Sequence, residues 1–175
     1  MNDSLNDSKP IYREIQKFNR VLLFFALFFV DAATIGVCVQ LYFSGNFSNE
    51  KGMMNVIVVI ALNILLCAFV TVLFIGMRLI TEVRSDGVYI RFVPFHFKFQ
   101  RIGFDTIKNC EARTYRPLIE YGGWGIRYRG FNSKAYNISG NRGVQLVLNN
   151  DKRILIGSQR SDELAAAIND MMKNI

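Results

Sequence analysis

Two long apolar runs near the front of the chain dominate its pattern of hydrophobic and polar positions. The runs cover residues 21–43 and 53–77, and no charged residue occurs between Lys51 and Arg78. A bilayer core about 30 Å thick requires roughly 20 apolar residues in a helix that rises about 1.5 Å per residue. The pattern therefore predicts a hairpin of two transmembrane helices over residues 21–80.

The segment before the first run, residues 1–20, is predicted to be a cytoplasmic tail followed by an interfacial helix. Residues 1–10 are polar, which is typical of a disordered segment. Ile11, Ile15 and Phe18 then fall at i, i+4 and i+7, the spacing of one apolar face of a helix. Such a helix would lie at the inner membrane surface.

Basic side chains flank the hairpin, whereas the link between the two apolar runs carries only Lys51. The flanking basic residues are Lys9, Arg13, Lys17, Arg20, Arg78, Arg84 and Arg91. Because basic residues accumulate on the cytoplasmic side of membrane proteins, this bias predicts the orientation. We expect a multi-pass protein of the cell membrane with both termini in the cytoplasm.

After residue 80 the period of the pattern changes to two, which indicates β-strands. Asp86 and Gly87 lie between two alternating segments, as in a two-residue hairpin turn. The alternating segments predict about seven antiparallel strands, at residues 80–84, 88–92, 95–100, 107–115, 134–139, 144–148 and 153–156. An amphipathic helix is predicted from Ser161 to about Asn174. Residues 81–175 are thus expected to form a cytoplasmic α+β or all-β domain, a small barrel or sandwich capped by one helix.

Several segments of this arrangement resemble a known group of proteins. They are the two apolar runs and residues 12–18, 81–88, 121–127 and 162–168. The chain resembles uncharacterised prokaryotic membrane proteins that carry two N-terminal transmembrane helices and a bacterial pleckstrin-homology-like (PH-like) domain. The resemblance implies a PH-like fold for the C-terminal domain and a membrane location, and it implies no reaction.

The net charge of +7 is concentrated in the C-terminal domain. From Arg78 onward, 16 Lys and Arg residues stand against 9 Asp and Glu residues, a net +7 for that segment. These residues are spread along alternating strands, whereas nucleic-acid binding calls for a concentrated basic stripe. We expect no nucleic acid as a partner. The charge either attracts anionic lipid or simply marks the cytoplasmic side.

The most unusual stretch of the domain is rich in glycine and surrounds the only tryptophan, Trp124. Arg127 and Arg129 follow two residues apart, which places them on one face of a strand. We interpret Trp124, Arg127 and Arg129 as a contact for anionic lipid or a protein partner. The alternative is a glycine-supported hairpin whose tryptophan fills one end of a barrel.

Asp31 is a costly residue near the middle of the first apolar run. A charged carboxylate at mid-bilayer costs at least about 2.5–3.5 kcal/mol, so we expect Asp31 to be protonated or paired. Asn63 on the second run is the predicted hydrogen-bond partner, and a contact between copies of the hairpin is the alternative. Ala32 and Gly36 would allow close approach of a second helix.

Signatures of catalysis, metal binding and cofactor binding are missing from the sequence. Cys38, Cys67 and Cys110 form no C-x-x-C pair, and His96 is the only histidine. We therefore expect no catalytic residues, no metal and no cofactor. The sequence predicts a non-enzymatic, membrane-anchored interaction or scaffold module. The alternative is an accessory or oligomeric subunit of a transport or channel assembly in which Asp31 is functional.

Overall fold

The computed structural model describes residues 9–18, 20–45 and 50–174, so most of the predicted disordered tail lies outside the described residues. The strands are β1 Tyr12–Lys17, β2 Arg78–Arg84, β3 Gly87–Val93, β4 Gln100–Gly103, β5 Ile107–Thr114, β6 Gly125–Arg129, β7 Ser133–Asn137, β8 Arg142–Leu148 and β9 Arg153–Gly157. The helices are α1 Arg20–Phe43, α2 Glu50–Gly76, α3 Pro117–Tyr121 and α4 Ser161–Lys173. One compact unit consists of α1 and α2, and the other joins β1 to everything from β2 to α4.

The helices α1 and α2 pack against each other and present apolar side chains outward. They contain 24 and 27 residues, which corresponds to roughly 36 and 40 Å. Leu23–Phe43 and all of α2 are long and apolar enough to cross a membrane. Phe24 and Leu65, on the two helices, are 73% and 65% exposed within the structure. Both candidate membrane helices predicted from the apolar runs are therefore present.

The first sheet has the strand order β1-β2-β3-β4, and all of its pairs are antiparallel. The turn between β2 and β3 falls at Asp86 and Gly87, as the sequence predicted. β1 precedes the hairpin in the chain and β2 follows it, so the hairpin is inserted between two paired strands. Lys17 at the end of β1 lies opposite Arg78 at the start of β2.

The interfacial helix predicted for residues 11–20 is wrong, because Tyr12–Lys17 form a strand. Tyr12, Glu14 and Gln16 face inward and are buried, while the alternate residues are exposed. Two of these three inward-facing side chains are polar, so the alternation is invisible in the hydrophobic pattern. Pairing with β2 decides the conformation of this segment.

Buried polar groups of β1 fix it to the segment between β9 and α4. The Glu14 carboxylate accepts hydrogen bonds from the Ser158 hydroxyl at 2.6 Å, the Tyr12 hydroxyl at 2.8 Å and the Gln159 backbone N–H at 2.8 Å. The Gln16 amide donates to the Gly157 carbonyl at 2.7 Å. A buried carboxylate is tolerated only when it is well hydrogen-bonded, and Glu14 meets that condition.

A strand predicted at residues 95–100 is also wrong for all but its last residue. Phe95, Phe97 and Phe99 alternate with polar residues, yet this segment is a loop, and β4 begins only at Gln100. The Phe97 side chain is 89% exposed. Alternation alone does not make a strand where no apolar surface covers one face.

The second sheet has the strand order β5-β8-β9-β7-β6. β7 and β9 run parallel, with Ser133 opposite Arg153, whereas the other pairs are antiparallel. The described residues thus contain nine strands in two sheets, rather than the seven antiparallel strands predicted. The sheets do not close into a barrel, and the sandwich-like alternative is the one that fits.

The larger apolar cluster of the domain lies between the sheets and α4. Its buried side chains include Ile90 and Phe92 from the first sheet, Leu146 from the second, and Leu164 and Ile168 from α4. The helix predicted from Ser161 to about Asn174 is confirmed as Ser161–Lys173, with its apolar face buried. The domain is therefore two sheets with one C-terminal helix packed against their shared core.

Candidate functional site

The glycine-rich segment singled out by the sequence forms the connection between α3 and β6. α3 ends at Tyr121 and is capped by Gly122, whose φ of 70° is left-handed and favours glycine. The backbone N–H groups of Gly122 and Gly123 donate to the carbonyls of Leu118 and Pro117 at 3.0 and 2.9 Å. These bonds reverse the chain sharply and deliver Trp124 to the start of β6.

Trp124 and Arg127 are brought together by this turn. The indole Nε1–H of the half-buried Trp124 donates to the Gly140 carbonyl at 3.1 Å. The Arg127 Nε–H donates to the Trp124 carbonyl at 2.9 Å. The tryptophan N–H is thus used within the domain, which fixes the ring, while the Arg127 side chain remains exposed.

Arg129 lies two residues further along β6 and lines a polar cleft on the outer face of the second sheet. The cleft has a volume of about 780 Å³. Its charged lining residues are Glu111, Arg113, Glu120, Arg129, Asp151 and Arg153. Three positive and three negative side chains balance, so the cleft is not a concentrated anion site.

Arg113 and Glu120 form the half-buried centre of this cleft. The Arg113 guanidinium donates to the Glu120 carboxylate at 2.8 Å and to the Gln145 side-chain oxygen at 3.2 Å. The hydrogen bond from Arg113 lowers the pKa of Glu120, and the Arg116 backbone N–H contributes in the same direction. Glu120 therefore carries its charge at neutral pH and joins α3 to the sheet.

Arg129 and Arg153 differ from Arg113, because neither takes part in an ion pair among the residues that the structure describes. Both side chains are exposed at the rim of the cleft. The sequence identified Arg129 alone. Arg113 and Arg153 come from β5 and β9, and only the strand order of the sheet brings them to the same cleft.

Exposed apolar side chains lie on α3 and on the β6–β7 hairpin. On α3, Leu118 and Ile119 are 65% and 76% exposed, and on the β6–β7 hairpin Tyr128 and Phe131 are likewise exposed. α3 packs against β6, which is the last strand of the second sheet. We call these side chains, the exposed Arg127 and Arg129, and the half-buried Trp124 the β6 surface: Leu118, Ile119, Trp124, Arg127, Tyr128, Arg129 and Phe131.

The helix pair holds a separate polar cluster around Asp31 and Asn63. The Cys67 thiol donates to the Asp31 carboxylate at 3.5 Å, and the Asn63 amide donates to the Thr34 hydroxyl at 2.6 Å. The Cys67 thiol also lies 3.7 Å from the Asn63 side-chain oxygen. The hydrogen bonds therefore run through Cys67 and Thr34 rather than directly from Asp31 to Asn63. Asp31 itself is exposed on the surface of the pair.

No group of three or more His, Cys, Asp or Glu side chains is placed to hold a metal ion within residues 9–18, 20–45 and 50–174.

Comparison with known protein families finds a match over most of the chain. Residues 5–174 match the family described as "Family of unknown function (DUF6141)". No curated protein matches the chain. No solved structure matches it either.

Proposed function

The chain belongs to the family of unknown function DUF6141, and we propose that it is a non-enzymatic, membrane-anchored interaction module. In this proposal α1 and α2 hold a PH-like domain at the cytoplasmic face, and the β6 surface binds an acidic segment of a partner protein. Two sheets sharing a core with one C-terminal helix support the PH-like assignment. The parallel pairing of β7 with β9 departs from the all-antiparallel sheets expected.

The observation that carries the anchoring is the position of the hairpin between β1 and β2. Because Lys17 lies opposite Arg78, the chain leaves the sheet and returns to it at the same end. Two spans that start and finish at one point return to the same side of a bilayer. The basic residues that flank the hairpin favour the cytoplasm as that side.

The outward-facing apolar side chains of α1 and α2 support a lipid environment. In Leu23–Phe43, none of the most apolar stretch of 18 residues is buried within the structure. In Glu50–Gly76, 6% of the corresponding stretch is buried. A soluble protein would cover such helices, because each large apolar side chain left in water costs about 1.5–3 kcal/mol relative to burial. A bilayer removes that cost without any covering protein.

The β6 surface has the composition of a protein-binding site. The residues that contribute most to binding at protein interfaces are enriched in tryptophan, tyrosine and arginine. Trp124, Arg127, Tyr128 and Arg129 lie within six residues. β6 is also a sheet edge, so its outward backbone groups can pair with an extended segment. The excess of basic residues in the domain makes an acidic segment the complementary partner.

A site-specific photo-crosslinker in place of Tyr128 tests this proposal in native membranes. We expect adducts with a protein partner, and a matched crosslinker at the exposed Lys173 of α4 should give none of the same mass. In the crosslinker background, Arg127→Gln with Arg129→Gln should reduce the adduct about tenfold. Arg142→Gln, which removes an exposed ion-paired arginine elsewhere, should leave it unchanged.

Two results would overturn the partner assignment. One is a crosslink to lipid alone, which would favour the anionic lipid also predicted from the sequence. The other is a protein adduct whose yield is the same with and without the two arginines. Correct folding of the double variant is checked by its unfolding midpoint, which should match that of Arg142→Gln.

A further inference from the structure

Three strand ends in the first sheet lie side by side where the chain passes into the apolar helices. Lys17 in β1 lies opposite Arg78 in β2, and Arg78 lies opposite Val93 in β3. Arg78 follows Gly76, the last residue of α2, by two positions. The Cα atoms of Gly76 and Arg78 are therefore at most about 7.6 Å apart. The Cα atoms of directly opposed strand residues are only about 5 Å apart. The segment after Val93 thus begins at the end of the sheet where the chain leaves for α1 and returns from α2.

That segment, residues 94–99, exposes two phenylalanines. Phe97 is 89% exposed and Phe95 is 55% exposed. The Phe95 ring still contacts the buried Phe92, with ring centroids 5.9 Å apart. Large apolar side chains that are exposed together usually mark a contact with another molecule or with a membrane.

Hydrogen bonds hold this loop in shape. The His96 backbone N–H donates to the Phe92 carbonyl at 2.7 Å, and the Phe92 backbone N–H donates to His96 Nδ1 at 3.3 Å. The Arg91 Nε–H donates to the His96 carbonyl at 3.3 Å. Burial and the nearby Lys134 charge lower the pKa of His96, which keeps its ring neutral and able to accept this bond. The exposure of Phe95 and Phe97 is therefore a property of a fixed loop.

The charged residues in the stretch of sequence around the loop are all basic. No Asp or Glu occurs between Asp86 and Asp105. Lys98 within the loop is exposed, as are Lys17 and Arg78 at the adjoining strand ends. Aromatic side chains flanked by basic ones fit the boundary between acyl chains and anionic headgroups.

We infer that residues 94–99 are a second, interfacial contact with the bilayer that holds α1 and α2. Phe95 and Phe97 lie at the boundary between headgroups and acyl chains, and Lys17, Arg78 and Lys98 face anionic headgroups. This inference rests on the anchoring part of the proposed function and is independent of the β6 surface.

The test uses the full chain in nanodiscs of phosphatidylcholine with about one-third phosphatidylglycerol as the anionic lipid. Trp124→Phe removes the only tryptophan, and Phe97→Trp then places a fluorescent probe in the loop. Asn150→Trp is the matched control. Asn150 is exposed, and its neighbour Asn149 donates a hydrogen bond to Asp105, which lies just beyond the end of β4 that is far from the loop. Lipids brominated near the headgroup quench a tryptophan that touches the boundary.

We expect blue-shifted emission from the Phe97→Trp variant and quenching severalfold stronger than in the Asn150→Trp control. Equal emission and quenching in the two variants would overturn the inference. Emission that is blue-shifted but not quenched would also overturn it, since protein would then cover the loop. Carbonate extraction separates the two proposals: a chain that resists extraction but is not quenched lacks only the loop contact, whereas an extracted chain lacks the anchor and the contact together.

Discussion

The Ser158 hydroxyl donates a 2.6 Å hydrogen bond to the Glu14 carboxylate, although the two residues are 144 positions apart in the chain. Tyr12 and the Gln159 backbone N–H complete the set of donors around the same carboxylate. Glu14 is 7% exposed, so water cannot replace these bonds. The first strand is therefore held by these buried side-chain bonds as well as by its pairing with β2.

Replacing Glu14 by glutamine should destabilise the domain. A glutamine oxygen in the place of Oε2 can still accept from the Tyr12 and Ser158 hydroxyls, but its NH2 group then faces the Gln159 backbone N–H. We expect a loss of about 1–3 kcal/mol in the free energy of unfolding. Urea unfolding of the purified chain in detergent measures it. Glu163→Gln is the control, because Glu163 forms only an exposed ion pair with Arg160 worth at most about 1 kcal/mol. Equal midpoints for the two variants would contradict the role of Glu14.

Stability at alkaline pH should depend on Tyr12. Burial and the hydrogen bond to Glu14 raise the pKa of Tyr12 from 10.0 to about 12. Below pH 10 the hydroxyl is protonated in both states, and above that the unfolded chain ionises first, so stability falls as pH rises from 10 to 12. The stability advantage over Tyr12→Phe should shrink by up to about 2–3 kcal/mol across this window. A constant difference between pH 9 and pH 11 would be inconsistent with the raised pKa.

Cys110 should react very slowly with thiol reagents. Burial raises the pKa of its thiol from 9.0 to about 12, which lowers the thiolate fraction at neutral pH about 1,000-fold. Labelling is followed in a Cys38→Ser, Cys67→Ser background, with and without urea. An added Lys152→Cys at an exposed turn provides the comparison for free access. Labelling of Cys110 in the folded chain at a rate near that of Lys152→Cys would rule out its burial.

Asp31 should favour association between hairpins. Its carboxylate is exposed on the helix pair, and the hydrogen bond that it accepts from the Cys67 thiol is long, at 3.5 Å. A second hairpin offers polar partners that lipid does not. We therefore expect Asp31→Leu to weaken self-association in detergent, measured by sedimentation equilibrium. Gln40→Leu, also on α1, should not change it. An unchanged oligomeric state in Asp31→Leu would remove the assembly role.

Much of the fold follows from local patterns. The apolar runs, the Asp86–Gly87 turn and the amphipathic face of α4 are each specified within a short stretch, and each appears where predicted. The missed elements depend on distant partners. β1 is a strand because β2 pairs with it 61 positions later, at Lys17 and Arg78. Residues 95–100 alternate like a strand, but only Gln100 belongs to one, and Phe95 and Phe97 remain exposed.

The candidate site was only partly visible in the sequence. Trp124 and Arg127 lie close together in the chain, and a local turn is enough to join them. Arg113 and Arg153 could not be associated with Arg129, because their strands become neighbours only through the order of the second sheet. A parallel pair such as β7 and β9 leaves no signal in the spacing of short strands.

The insertion of α1 and α2 between paired strands sets the order of events during synthesis. β1 leaves the ribosome before either helix, and it has no partner until β2 follows α2. The first sheet can therefore close only after both helices have been made and their ends have come together. Once the sheet has formed, the pairing of Lys17 with Arg78 holds together the two chain segments that lead into α1 and out of α2. Separating α1 from α2 at that end would then require the unfolding of β1 as well.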